Sequence, residues 1–388
     1  MRRFFLILFI AALTRFSFAE KPATTKPGPP EKVTVNQLEQ ALSVSRGKSD
    51  ADMAQALSTL ELTERLGSTR FAHLKANLPG EKSQLALLIL ADQATFLHPP
   101  DDEIVQDPAP DPSTTRQMLV QIVNYVNTTS RQLPNLMAVR ETTGFEDRPK
   151  SDSEDAIGVL SLSYLPVHFV RKSSLAVTYR DRKEVVDESA TKALKQNSPV
   201  TGLATSGEFG PILSSALADA LKGKITWTRW EQGASGRVAV FHYAVPDERS
   251  SYHVKFCCVP EGYSSTGEPE LKVFDERSSY HGDITFDPAD GSILRITLEA
   301  EMAPKGFVAN AGIAIEYGPV EIGGKSYICP TKSVSVLMAH TAIPKGMASN
   351  SNYQGAAKTY LNDVEFNQYR RFGSETRILT GENEAPTK

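Results

Sequence analysis

Cysteine is nearly absent: three in 388 residues, at 257, 258 and 329. So few, and an odd number, exclude a small fold framed by disulfides and leave at least one thiol over. No CxxC or HxxxH spacing accompanies them, so the usual zinc-ligand patterns are missing and no metal site is expected. Positive charge is not in excess either. The net charge is −4 and the isoelectric point about 6.0, without the basic footprint of a nucleic-acid binder. Catalytic signatures are also lacking. There is no GxSxG, no HExxH, no phosphate loop and no GxGxxG after a strand, so neither a recognisable enzyme nor a cofactor site is expected. Asp283, Asp287 and Asp290 do not have calcium-loop spacing. Asp287-Pro-Ala-Asp-Gly291 reads as a turn, using Asp and Gly for their turn-forming chemistry.

Long apolar runs are missing beyond the first twenty residues, so no membrane-spanning helix is expected later in the chain. The start is different. Arg2 and Arg3 precede an apolar run from Phe4 to Leu13, and Ser17-Phe18-Ala19 supplies small residues at a cleavage position. Residues 1–19 read as a secretory signal, too short to span a bilayer. The chain is therefore expected in the periplasm or outside the cell, where disulfides are permitted.

Hydrophobic residues make up 40% of the chain, enough for a sizeable core. Residues 20–32 read as a Pro/Lys/Thr-rich tether. Residues 33–98 carry four short amphipathic helical patterns, with Leu38 and Leu42, then Met53, Leu57, Leu60 and Leu62, then Phe71, Leu74 and Leu78, then Leu85, Leu88, Ile89 and Phe96. They predict a small helical module. His73 and His98 within it read as surface or boundary residues. Residues 99–112 read as an acidic, Pro-rich, solvated linker. Residues 113–380 open with a helix capped by Ser113. They then show roughly ten strand signals joined by short turns, the mark of a broad antiparallel sheet.

One helix is expected among the strands, over 206–223, with Ser206 as cap, Pro211 in the first turn and Gly223 at the end. Phe209, Ile212, Leu213, Ala216 and Leu217 share one stripe of it. In the strand at 293–301, Leu294, Ile296, Leu298 and Ala300 alternate with Arg295, Thr297, Glu299 and Glu301, the pattern of a half-buried strand. The helix stripe and Leu294, Ile296 and Leu298 are expected to face each other inside a curved sheet, lining either a packed core or an apolar ligand cavity. His242 and His253 flank one expected hairpin. Trp227 and Trp230, three apart, are expected on opposite strand faces. Cys258 shares its face with Tyr252, Val254 and Phe256. If its strand neighbours that of Cys329, a Cys258–Cys329 disulfide would follow, with Cys257 free.

The segments EFGPIL (208–213), WTRWEQ (227–232), VAVFHYAVP (238–246), GDITFDPADGSILRIT (282–297) and IEYGPVEIGGKSYICP (315–330) together resemble a group of exported bacterial proteins of unknown function. More distantly, the DPADG turn, the ILRI strand and a helix among strands resemble the LolA-like lipoprotein-carrier fold. That resemblance implies a large unclosed antiparallel barrel covered by helices and enclosing an apolar cavity; the helical module at 33–98 departs from the simple carriers, and the whole chain is expected to be α+β. The resemblance implies a non-catalytic envelope protein that carries or senses a lipid or lipoprotein acyl chain. The alternative is an envelope scaffold with an ordinary core, docking a protein partner through residues 33–98.

Overall fold

The computed structural model describes residues 30–149, 164–181, 183–186, 203, 207–234, 236–263, 265–266, 269–303, 306–342 and 354–371. The expected signal at 1–19, most of the tether and Ser206 lie outside these residues.

Four helices come first: α1 (Val35–Val44), α2 (Asp50–Leu57), α3 (Ser68–Ala76) and α4 (Glu81–Gln93). Local chemistry starts them. Thr34 and Gln37 form a reciprocal capping box on α1, and Ser49 accepts from the Asp52 amide on α2. Asp50 then reaches across to cap α4, accepting from the Lys82 amide at 3.1 Å and the Ser83 amide at 2.8 Å. Val35, Leu38, Met53, Leu57, Leu74, Leu87 and Leu90 close a shared core. Leu60 and Leu62 do not continue α2, which ends at Leu57; they belong to β2 (Leu60–Leu62), which pairs in parallel with β1 (Glu31–Val33).

Much of 99–112 is exposed, but the segment is not free of the sheet. It contains β3 (Ile104–Val105), which joins the edge of the main sheet. Asp102 and Glu103 pair with Arg70, and the Pro108 carbonyl accepts from Trp230 Nε1 at 3.1 Å. α5 (Pro112–Gln132) follows. Its cap is Asp111 rather than Ser113: Asp111 Oδ1 accepts from the Ser113 and Thr114 amides.

The strands are β4 (Leu136–Arg148), β5 (Leu165–Arg180), β6 (Lys183–Val186), β7 (Lys224–Gly233), β8 (Gly236–Val245), β9 (His253–Tyr263), β10 (Pro269–Arg277), β11 (Tyr280–Phe286), β12 (Ile293–Ala300), β13 (Val308–Ile322), β14 (Lys325–Ala342) and β15 (Gln354–Arg371). α6 (Pro211–Lys222) precedes β7. It starts at Pro211, not at 206, because Gly210 turns the chain with φ +148° and Pro211 fits the first turn. Eleven strands form one open antiparallel sheet in the order β3-β7-β8-β11-β12-β13-β14-β15-β4-β5-β6. Among the described residues the chain is thus α+β, with a large unclosed sheet and six α-helices.

Two expectations about strand neighbours fail. β9 does not follow β8 in the sheet; it pairs with β10 as a separate ribbon, and β8 pairs with β11. His253 accordingly meets Asp275 on the ribbon, while His242 meets Asp283 on the sheet. The neighbour condition for a Cys258–Cys329 disulfide is also unmet. Cys329 is a free, buried thiol on β14, opposite Gly318 of β13. The Cys257 and Cys258 side chains lie outside the described residues.

Both faces of the sheet are covered. α5 and α6 lie on one, with Met118, Ile122, Leu213, Ala216 and Leu217 against Phe241, Tyr243, Ile284, Ile296, Leu298 and Ile313. α4 lies on the other, with Leu85, Leu88 and Ile89 against Phe145, Val334 and Leu361. β12 is therefore not half-buried. Arg295 and Thr297 on its polar side are also out of water.

Candidate functional site

The expected site residues divide into three groups. Leu213, Ala216, Leu217, Ile296 and Leu298 meet in the core between α6 and the sheet, and Ile212 lies half-buried in α6 at its margin. Phe209 belongs to a different cluster. Its ring stacks on Tyr179 at 6.0 Å and meets Phe366 edge-on at 5.4 Å. Leu294 is displaced by a bulge: Thr285 opposes Arg295, but Phe286 opposes Ile293. The extra residue shifts the alternation, and Ile293 enters the core in its place. The same device corrects the tryptophans. A bulge between Trp227 and Arg229 puts Trp227 and Trp230 on one side, with ring centroids 4.6 Å apart.

These residues leave little room. The void between Tyr125, Leu133, Phe209, Leu213, Ile293 and Tyr317 measures about 20 Å³. That is space for one water, against roughly 300–1,000 Å³ for a small-molecule site. Leu213, Ala216, Leu217, Ile296 and Leu298 lie in one buried hydrophobic cluster.

Two groups of buried charge beside that core bear on the site. The first is the seam under the N-terminal helices. Arg65 reaches Glu231 at 2.7 Å, Arg229 bridges Glu231 at 2.7 Å and Asp283 at 3.2 Å, and Asp283 also meets His242 Nδ1 at 2.9 Å. Burial pushes the Glu231 carboxyl up, but the two guanidinium groups outweigh it and hold it below the usual range. Arg295 donates to the Thr95 carbonyl, and burial lowers its guanidinium to about 10. Lys332 lies 2.7 Å from Asp92 and 2.8 Å from Asp363. Arg65, Arg295 and Lys332 are each matched by an acid or carbonyl across the helix–sheet junction, while Arg229 pairs within the sheet, so the seam ties two layers together.

The second group is a carboxyl pair near the start of α6. Glu208 is fully buried, 3.3 Å from Arg140, and neither of its carboxylate oxygens has a hydrogen-bond partner. Glu184 accepts from the Gly207 amide at 2.8 Å. Burial first, then the nearby Glu208, pushes the Glu184 carboxyl up to about 7, with Arg140 opposing. A buried acid beside a second acid favours its protonated form, which is the direction of the Glu184 shift.

Space for a ligand occurs elsewhere, among the N-terminal helices. A pocket of about 360 Å³ opens between α1, the α1–α2 turn and the C-terminal end of α3. Met53 and Leu74 are buried in its floor, Leu42 and Leu78 are half-buried in its wall, and Ser43 is exposed at its side. Arg46 and Lys48 flank Gly47, whose φ of +96° belongs to the left-handed region that a glycine enters freely. His73 is an exposed lining residue contributed by α3. The only lining acid, Glu39, is taken up by Arg70, at 2.7 and 2.8 Å.

Helical spacing marks Leu42, Met53, Leu74 and Leu78 only as core positions. Which of them border open space depends on how α1 and α3 splay around the Arg46-Gly47-Lys48 turn, a packing property that periodicity does not carry. Among the described residues no group of three or more His, Cys, Asp or Glu is placed to hold a metal ion, and no helix is long and apolar enough to cross a membrane. Compared with protein-family models, with curated proteins and with solved structures, the chain matches none.

Proposed function

We propose that this chain is an exported, non-catalytic binding protein whose binding site is the pocket of the N-terminal helices, with a LolA-like open sheet as its rigid support. One contrast supports the reading. The pocket between α1 and α3 measures about 360 Å³ and the void among the expected carrier residues about 20 Å³. Only the former reaches the size of ordinary ligand sites, roughly 300 Å³ and above. Its wall is apolar and its mouth polar, the composition that fixes both affinity and orientation. Export rests on the Arg2-Arg3 start, the Phe4–Leu13 run and Ser17-Phe18-Ala19. The alternative keeps the same compartment and makes residues 33–98 a docking point for an envelope protein.

A fluorescent fatty acid separates the sites. Ser43→Trp adds bulk at an exposed lining position, and Leu213→Trp crowds the sheet interior. The reading predicts saturable binding that Ser43→Trp abolishes at unchanged melting temperature. Leu213→Trp should lower the melting temperature and leave binding intact in the folded fraction. Binding lost in Leu213→Trp, with stability and the Ser43→Trp titration both unchanged, would move the site into the sheet as a lipid carrier. No saturable binding, with a co-purified envelope protein released by Ser43→Trp, would favour the docking alternative.

A further inference from the structure

The pocket also has a polarity, and this inference rests on its being a ligand site. We infer that it takes a short aliphatic carboxylate, with the hydrocarbon stem on Leu42, Met53, Leu74 and Leu78 and the carboxylate at Arg46. Three observations carry this. The floor offers aliphatic and thioether surface, which gains from covering hydrocarbon and offers a polar stem nothing to bond. The volume of about 360 Å³ lies near the lower end of ligand sites, so the stem is short. At the mouth stands Arg46, while the lining acid, Glu39, is held by both its oxygens on Arg70.

Arg46 is exposed and has no ion pair among the described residues. A guanidinium presents a planar fork that matches a carboxylate with two parallel bonds. An ammonium ligand would meet the like charge of Arg46.

Calorimetric titration of the full chain with octanoate, octanol and octylammonium tests the inference. The expected result is saturable one-to-one binding of octanoate. Octanol should bind roughly tenfold more weakly, the size of one lost charge-assisted contact, and octylammonium should not bind measurably. Arg46→Glu should weaken octanoate about tenfold or more and leave octanol unchanged. Added salt should weaken octanoate alone. Octanol binding as tightly as octanoate, or an Arg46→Glu variant with wild-type octanoate affinity, overturns the carboxylate while the pocket reading stands. No binding of any of the three overturns both. A peptide ending in a free leucine carboxylate, run beside its amidated form, separates the two sources of this chemistry. Tighter binding than octanoate that amidation abolishes assigns the site to a protein C terminus; otherwise the free acid is the ligand.

Discussion

Replacing Lys332 with methionine tests how the N-terminal helices are held to the sheet. Lys332 Nζ lies 2.7 Å from Asp92 of α4 and 2.8 Å from Asp363 of β15, and both acids are 2% exposed. Methionine keeps most of the stem and removes the only cation shown between them. Two buried carboxylates then face each other without compensation. Breaking a buried pair from one side costs about 3–5 kcal/mol, because the remaining charge is desolvated and unpaired. The cost depends on pH in a definite direction. Burial already pushes the Asp92 carboxyl well above its ordinary value, with Lys332 opposing. Without Lys332 the folded-state value rises further. Between the unfolded value and that raised value the native state binds more protons than the unfolded state, so stability falls as pH rises and returns as pH falls. Urea unfolding of both proteins at about pH 7 and about pH 5 should show the variant some 3–5 kcal/mol weaker at the higher pH, with the gap narrowing at the lower. Adding Asp363→Asn should restore part of the loss. A variant within about 1 kcal/mol of wild type near neutrality, or a gap that widens on acidification, would refute the reasoning.

Three further perturbations follow from the same structure. Glu184, with its carboxyl pushed up to about 7, contributes stability present at low pH and lost as pH rises from its unfolded value through 7; Glu184→Gln should flatten the fall seen by urea unfolding across that window. Leu213→Asp places a carboxylate in a packed apolar core and should cost about 3 kcal/mol or more, read as a lower denaturation midpoint at unchanged slope. Gly282→Ala would set a Cβ 1.9 Å from the Thr297 carbonyl oxygen, which also accepts from the Tyr243 hydroxyl at 2.6 Å. Backbone must shift there, so several kcal/mol of stability should be lost, with thermal melting as the check.

The strand signals, the hairpin at Asp287–Gly291 and the helical stripes could be read from spacing, because a period of two or of about 3.6 is a local property. Gly291 shows why the turn was legible: its amide donates to the Asp287 carbonyl, and its φ is +79°. What failed depended on a single inserted residue or on a distant partner. The bulges beside Leu294 and before Arg229 each reverse a face assignment, and nothing in ILRI or WTRW announces them. Alternation put Arg295 in water, whereas Thr95, two hundred residues earlier, covers it and accepts its hydrogen bond. Adjacent position in sequence suggested that β9 would extend the sheet, but β11 takes the place beside β8. The pocket was missed for a related reason. Leu42 and Met53 lie on ordinary apolar stripes, and the space beside them arises only when three helices are assembled.

The account places the binding site among α1, α2 and α3 and leaves the sheet interior as a packed core. Two methionines report on these places separately. Met53 lines the pocket, and Met118 is buried between α5 and the sheet. Methyl-labelled methionine NMR during titration with octanoate and with octanol therefore gives the most direct reading. The account predicts that the Met53 methyl signal moves saturably with at least one of them while Met118 stays in place. A saturable shift at Met118 with Met53 unmoved would contradict it and return the site to the interior of the sheet.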